Sequence, residues 1–376
     1  MKTGDSKLLA RLDAALAASR DPLRTACLRA ERAGYRAREG HFDEARAELD
    51  ALRADSARRP HPELSVWLCL VEGWLAYYRA FDASARGWFK RAHALSQAGE
   101  LARVHALSAG WLALGDYAAG DSKAMVEHVA EALRTAEPDD HAARARACVV
   151  AALAHHFAED RAAAQAWYLR AREHARHEGD EQMLSAINHN IAAHDASHAM
   201  QAAVFGSDAE EIARRALAAA EATGNYDEWI GTESLDALVP MMMAVLWSVR
   251  GEHAKALAIY ERHMQAAREQ GLERMSAIFL ADVAWCRWHA GARDAAAAEL
   301  DAAQARLADV QDPDDLAVAR GRIAQLLALM GREEESLAYR DLADAAWREH
   351  RVVQQRMRDA LAALPAMSLP GGAATL

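Results

Sequence analysis

Apolar residues along this chain recur at offsets of three and four, the spacing that lines one face of an α-helix. Residues 6–19 place Leu8, Leu9, Leu12 and Leu16 on a single stripe, and Pro22 opens the next helical run. Further along, Ala45, Leu49 and Leu52 form a small-large stripe that returns as Ala296, Leu300 and Ala303. Such faces must be covered by other helices, because none is apolar all round. No segment is rich in strand-type alternation. Near the other end, residues 340–364 read as a long charged helix and residues 365–376 as a loose, disordered tail.

The stripes are periodic. Gly40-His41-Phe42-Asp43-Glu44-Ala45, Gly251-Glu252-His253-Ala254-Lys255-Ala256, Gly291-Ala292-Arg293-Asp294-Ala295-Ala296 and Gly331-Arg332-Glu333-Glu334-Glu335-Ser336 each run from a Gly through four variable residues to a small one. Gly251, Gly291 and Gly331 follow one another at intervals of 40, and Gly40 and Gly120 lie 80 apart. A weaker copy fills the missing phase, where Ala80 replaces the Gly and Ala85, Phe89 and Ala92 continue the pattern. A Gly at this point suits a helix end where the chain turns back through left-handed backbone.

Seven residues before each phase lies a column of small residues: Ala33, Gly73, Ala113, Ala152, Ala192, Ala244, Ala284 and Ala324. Small side chains in register predict a close helix–helix approach at one point of every repeat. The step from Ala192 to Ala244 is 52 instead of about 40, so the fifth repeat, near residues 181–235, carries extra chain. With its second-helix stripe at Ala213, Leu217 and Ala220, the addition falls near Phe205-Gly206-Ser207-Asp208. It is either a neutral surface insertion or a binding or hinge region. Residues 1–21 are expected to cap one end, residues 22–350 to form the repeats and residues 340–364 to cap the other.

Composition fits this picture. Hydrophobic residues make up 52% of 376, with aromatics at only 6% and few Gly and Pro, 20 and 8, so helix formers dominate. A net charge of −11 with dispersed Arg speaks against a nucleic-acid partner, which needs a concentrated basic face. No signal-peptide core or long apolar span is present, so a cytoplasmic protein without membrane attachment is expected. Cys27, Cys69, Cys148 and Cys286 are far apart and sit in apolar helical stretches, as small core residues of a reducing compartment would.

The unit Gly-x-Phe-x-x-Ala-x-x-x-Leu at Gly40 to Leu49 resembles the tetratricopeptide repeat, and the likeness extends over about residues 22–350. The period of 40 is similar to the long-helix variety found in maltose-activator-like and Rap-type peptide-sensing regulators of bacteria. The first repeat departs from the pattern, with Arg29, Arg32 and Arg36 where large apolar residues are usual. The resemblance implies an all-α, right-handed superhelical solenoid of about eight helical hairpins with capping helices. It further implies that first helices line a concave groove, and that the chain serves signal transduction and regulation by binding a protein or peptide there.

On that geometry the groove displays Trp74, Tyr77, Trp111, Tyr117, His156, Met241, Trp285 and Trp288, a lining suited to an amphipathic helix or apolar peptide. The competing reading places these side chains in the core between helices. Asn188 and Asn190 are further candidates, because the side-chain amide of Asn can hold an extended peptide backbone. His194 and His198 lie at i and i+4 but have no HExxH setting and no third ligand, so no metal and no cofactor are expected. His174 and His177 read as a solvated face. No nucleophile, phosphate-binding or metal motif is present, and a non-catalytic scaffold is expected. A small-molecule sensor is the alternative, with a Rap-like accessory phosphatase behind it. The last helix either caps the solenoid, the preferred reading, or joins two copies as a homodimer.

Overall fold

Helix boundaries follow from short polar and Gly signals. In the computed structural model, which describes residues 6–365, Ser6 accepts the Leu9 N–H ahead of α1 (Lys7–Ala18). Asp21 does the same for Leu23 ahead of α2 (Pro22–Glu39), where Pro22 occupies a first-turn position whose N–H would have no partner. Past α1, the helices pair in chain order as hairpins. These are α2 with α3 (Phe42–Arg58), α4 (Pro62–Ala80) with α5 (Ser84–Ala98), α6 (Ala102–Ala118) with α7 (Ser122–Thr135), and α8 (His141–Phe157) with α9 (Arg161–Glu178). Four more follow: α10 (Glu181–Phe205) with α11 (Ala209–Ile230), α12 (Leu238–Val249) with α13 (His253–Glu269), α14 (Ser276–His289) with α15 (Arg293–Ala305), and α16 (Pro313–Leu329) with α17 (Glu333–Leu361). The described residues thus form an all-α repeat of eight hairpins, with no strand among them, as the forty-residue period predicts.

Each hairpin turn holds one residue in left-handed backbone: Gly40, Phe81, Gly120, Glu159, Asp208, Gly251, Gly291 and Gly331. At six of these turns the following amide closes onto a carbonyl five residues back, for example His41 N–H to Arg36 O at 2.9 Å and Arg332 N–H to Leu327 O at 3.0 Å. That closure satisfies carbonyls which a helix end would otherwise leave open. Where the Gly phase lapses in sequence, Phe81, Glu159 and Asp208 adopt the required conformation in its place.

The predicted small-residue column is buried throughout, from Ala33 to Ala324. Its Gly73 is tighter still: a Cβ there would lie 2.3 Å from the Phe89 ring. The facing stripes, Ala45-Leu49-Leu52, Ala85-Phe89-Ala92 and Ala296-Leu300-Ala303, are buried as well. All four Cys are free and buried, and burial pushes the Cys27 and Cys148 thiols up to about 12.

The chain divides into two compact units. Among the described residues, unit 1 comprises the chain up to Ile187, Tyr226–Ser234 and the chain from Arg356 on; unit 2 comprises Asn188–Asn225 and Leu235–Gln355. In unit 1 the first helices α2, α4, α6 and α8 pack each on the next, and second helices wedge against the first helix that follows. α1 closes unit 1 through Leu8 N–H to Gly179 O at 3.1 Å, and Glu233 N–H bonds Glu39 O at 2.8 Å. In unit 2, α12, α14 and α16 form the corresponding row of first helices. No described helix is long and apolar enough to cross a membrane.

Candidate functional site

The aromatic residues expected on the first helices divide between two settings. In unit 1, Trp74 and Trp111 are 4% and 2% exposed and meet edge-on, with ring centroids 5.6 Å apart. Tyr77 is half-buried, 6.3 Å from Trp111 and 5.3 Å from Phe81. Phe89 closes the cluster from α5, 5.3 Å from Trp111. The buried Arg146 guanidinium lies 3.6 Å from the Trp111 centroid, taking the ring face as partner for its charge. These side chains fill the space between helices. Met241 in unit 2 is interior at 1% exposure. His156 is buried with its ring 5.9 Å from Tyr168, while Tyr117, Asn188 and Asn190 are half-buried on their helices.

Trp285 and Trp288 are differently placed. Both are half-buried at the edge of a core formed by Leu280, Ala284, Leu300 and Ile323, and they gather polar neighbours. The Trp285 ring lies 4.5 Å from His289, which stacks on His253 at 4.6 Å. Arg322 sits 4.6 Å from the Trp285 centroid and Arg293 3.7 Å from that of Trp288. On the neighbouring first helix, Trp247 faces Lys255 at 4.3 Å and Arg250 at 5.0 Å.

Two hairpin turns build this arrangement. Gly251 at φ 76° and Gly291 at φ 83° allow Glu252 N–H to reach Trp247 O and Ala292 N–H to reach Arg287 O, each at 2.9 Å. The chain thereby folds back at once, bringing His253 and Lys255 beside α12 and α14, and Arg293 beside Trp288. Burial lowers the pKa of both His253 and His289. His289 and Arg322 lower His253 further, and Arg293 and Arg322 lower His289 further. Burial first, and the neighbouring cations after it, thus favour the neutral form of both imidazoles. Part of that charge is compensated, since Glu252 lies 3.4 Å from Lys255 and Asp282 3.5 Å from Arg322.

Sequence reasoning identified Trp285 and Trp288 but missed Trp247, His253, His289 and Arg322. Two of these carried a usable signal, since His253 follows Gly251 by two residues and His289 precedes Gly291 by two. Residues flanking the turn glycine converge from both helices of a hairpin.

In unit 1 a cleft crosses four first helices, lined by Glu31, Trp67, Arg103, Leu107, Asp140 and Ala142 among others. A second is lined by Tyr35, Glu39, Glu181 and Trp229.

No family model matches the chain, and no curated protein matches it. Among solved structures it is similar to a Rap protein crystallised in complex with competence and sporulation factor. The two are 12% identical, the similarity covers 94% of this chain and 92% of that one, and the TM-score is 0.52. By fold, the chain is a tetratricopeptide-like helical repeat of the kind seen in that Rap protein.

Proposed function

We propose that the chain is a non-catalytic regulatory scaffold that holds a protein or peptide segment carrying acidic and aromatic residues on the first-helix row of unit 2. The observation that carries this reading is the grouping of half-exposed Trp247, Trp285 and Trp288 with three cationic side chains, Arg250, Lys255 and Arg293, at two adjacent hairpin turns. Indole faces supply apolar area at little entropic cost, and the guanidinium and ammonium groups beside them favour carboxylates over neutral ligands. Neutral His253 and His289 add hydrogen-bonding capacity without further charge. The similarity to a Rap protein bound to a separate factor supports a holding role for the fold.

Selection of a displayed random-peptide library on the full chain tests the reading. Enriched sequences should combine Asp or Glu with Trp, Phe or Leu. Synthetic versions should bind more weakly as salt is raised, and Trp288→Ala and Arg293→Glu should each weaken them by about tenfold, or about 1.4 kcal/mol. An unenriched library, or peptides that bind both variants as tightly as the parent, would refute it.

A further inference from the structure

Away from that surface, the second and third hairpins bring two imidazoles and a carboxylate to one point inside unit 1. His93 comes from α5, His105 from α6 and Glu131 from α7. His93 Nε2 lies 2.9 Å from Glu131 Oε2, and His105 Nε2 lies 2.9 Å from Glu131 Oε1. The donor atoms all fall within 4.8 Å of one another. Their side chains are only 14%, 11% and 22% exposed.

With both imidazoles neutral, the available hydrogens do not fill this arrangement. Ser96 has one hydroxyl hydrogen, and it is donated to His93 O at 2.8 Å. At His105 Nδ1, 2.9 Å away, Ser96 Oγ must therefore accept, which places the ring hydrogen on Nδ1. A neutral His105 then presents a bare lone pair at Nε2, directly toward a carboxylate oxygen. Two lone pairs 2.9 Å apart repel unless a proton or a cation sits between them. A second Nδ1–H, on His128, is fixed in the same way by Asp116 Oδ2 at 2.6 Å, and the His128 ring lies 5.1 Å from that of His93. Asp116 is held in turn by Arg86 at 2.7 Å. Imidazoles whose Nδ1–H is bonded to an oxygen, leaving Nε2 free, are the usual supporting arrangement of metal-ligating histidines.

We infer that His93, His105 and Glu131 form a binding site for a divalent transition-metal ion, zinc by ligand type, with His128 as the nearest further imidazole for a fourth position. Two nitrogens and a carboxylate oxygen make a common zinc set. With metal–ligand distances of about 2.0–2.2 Å, neighbouring donors of a tetrahedral site stand about 3.3 Å apart. Each Glu131–imidazole distance needs to open by only a few tenths of an ångström to admit the ion. The ion would tie α5 to α6 and α7, joining two consecutive hairpins.

The test is a zinc titration of the chelator-stripped full chain against a chromophoric competitor, with cobalt(II) as a spectroscopic stand-in. One zinc per chain is expected, with a rise in melting temperature, and cobalt should give the visible absorption of a four-coordinate nitrogen–oxygen site. Glu131→Gln and His105→Asn should each weaken zinc by more than about 100-fold, and Ser96→Ala, which removes only the support, by about tenfold. If the unaltered chain binds neither zinc nor cobalt, the site does not exist, whatever the variants do. Unchanged stoichiometry and affinity in folded Glu131→Gln would assign the ion to other histidines and equally overturn the proposal.

Discussion

At Gly73 the packing leaves no room for even a methyl group, since Phe89 stands where a Cβ would be and is itself backed by Trp111 at 5.3 Å. The ring cannot retreat without disturbing an indole that is 2% exposed. Gly73→Ala should therefore cost about 1–3 kcal/mol although Ala fills the same column in the other repeats, read as a lower urea midpoint at unchanged slope. An unaltered midpoint would mean that the helix pair can separate freely. Phe81, Glu159 and Asp208 show the converse situation. Left-handed backbone costs about 1–2 kcal/mol at a side-chain-bearing residue, and the turn imposes it because the hairpin cannot close otherwise. That is why the Gly period lapses in sequence while the turn persists in structure.

Among helix pairs, the most exacting contact is polar. Asp282 of α14 is 4% exposed, accepts from Ser248 Oγ at 2.8 Å and Tyr260 Oη at 2.9 Å, and stands 3.5 Å from Arg322. Four helices, α12, α13, α14 and α16, meet on one carboxylate. Burial raises its pKa, opposed first by Arg322 and then by the two hydroxyl donors. Asp282→Ala would strand two hydroxyls and a guanidinium, at an expected cost of about 3–5 kcal/mol in unit 2 unfolding. Asp282→Asn keeps an acceptor oxygen and should cost less, and equal losses for the two variants would show that the hydroxyl contacts contribute nothing. The same Arg322 faces Trp285, so the Ala variant should also disturb the proposed peptide surface.

For the molecule as a whole, the repeat was legible because backbone geometry demands it. A hairpin turn needs left-handed backbone and a close helix pair needs a small residue, and both demands leave marks at fixed intervals, from Gly40 to Gly331 and Ala33 to Ala324. Which side of a helix an aromatic residue takes was not legible. Trp74, Trp111 and Trp285 all sit at helical spacing in first helices, and only the neighbouring helices decide that two are enclosed and one is half-exposed. The His93–His105–Glu131 cluster was invisible for a related reason: its members are 12 and 26 residues apart on three helices, with no local motif to betray them.

The equal spacing of Gly251 and Gly291 has a practical consequence. Both glycines have the same backbone state and the same six-residue closure, so the stretch from Gly251 to Ala290 begins and ends at equivalent joints. Copied in tandem, that cassette should splice into the chain like an added vertebra, because each hairpin answers mainly to its immediate neighbours. The lengthened protein should keep its helical ellipticity per residue and unfold no earlier than the parent, and a loss of either would show that the joints are not interchangeable.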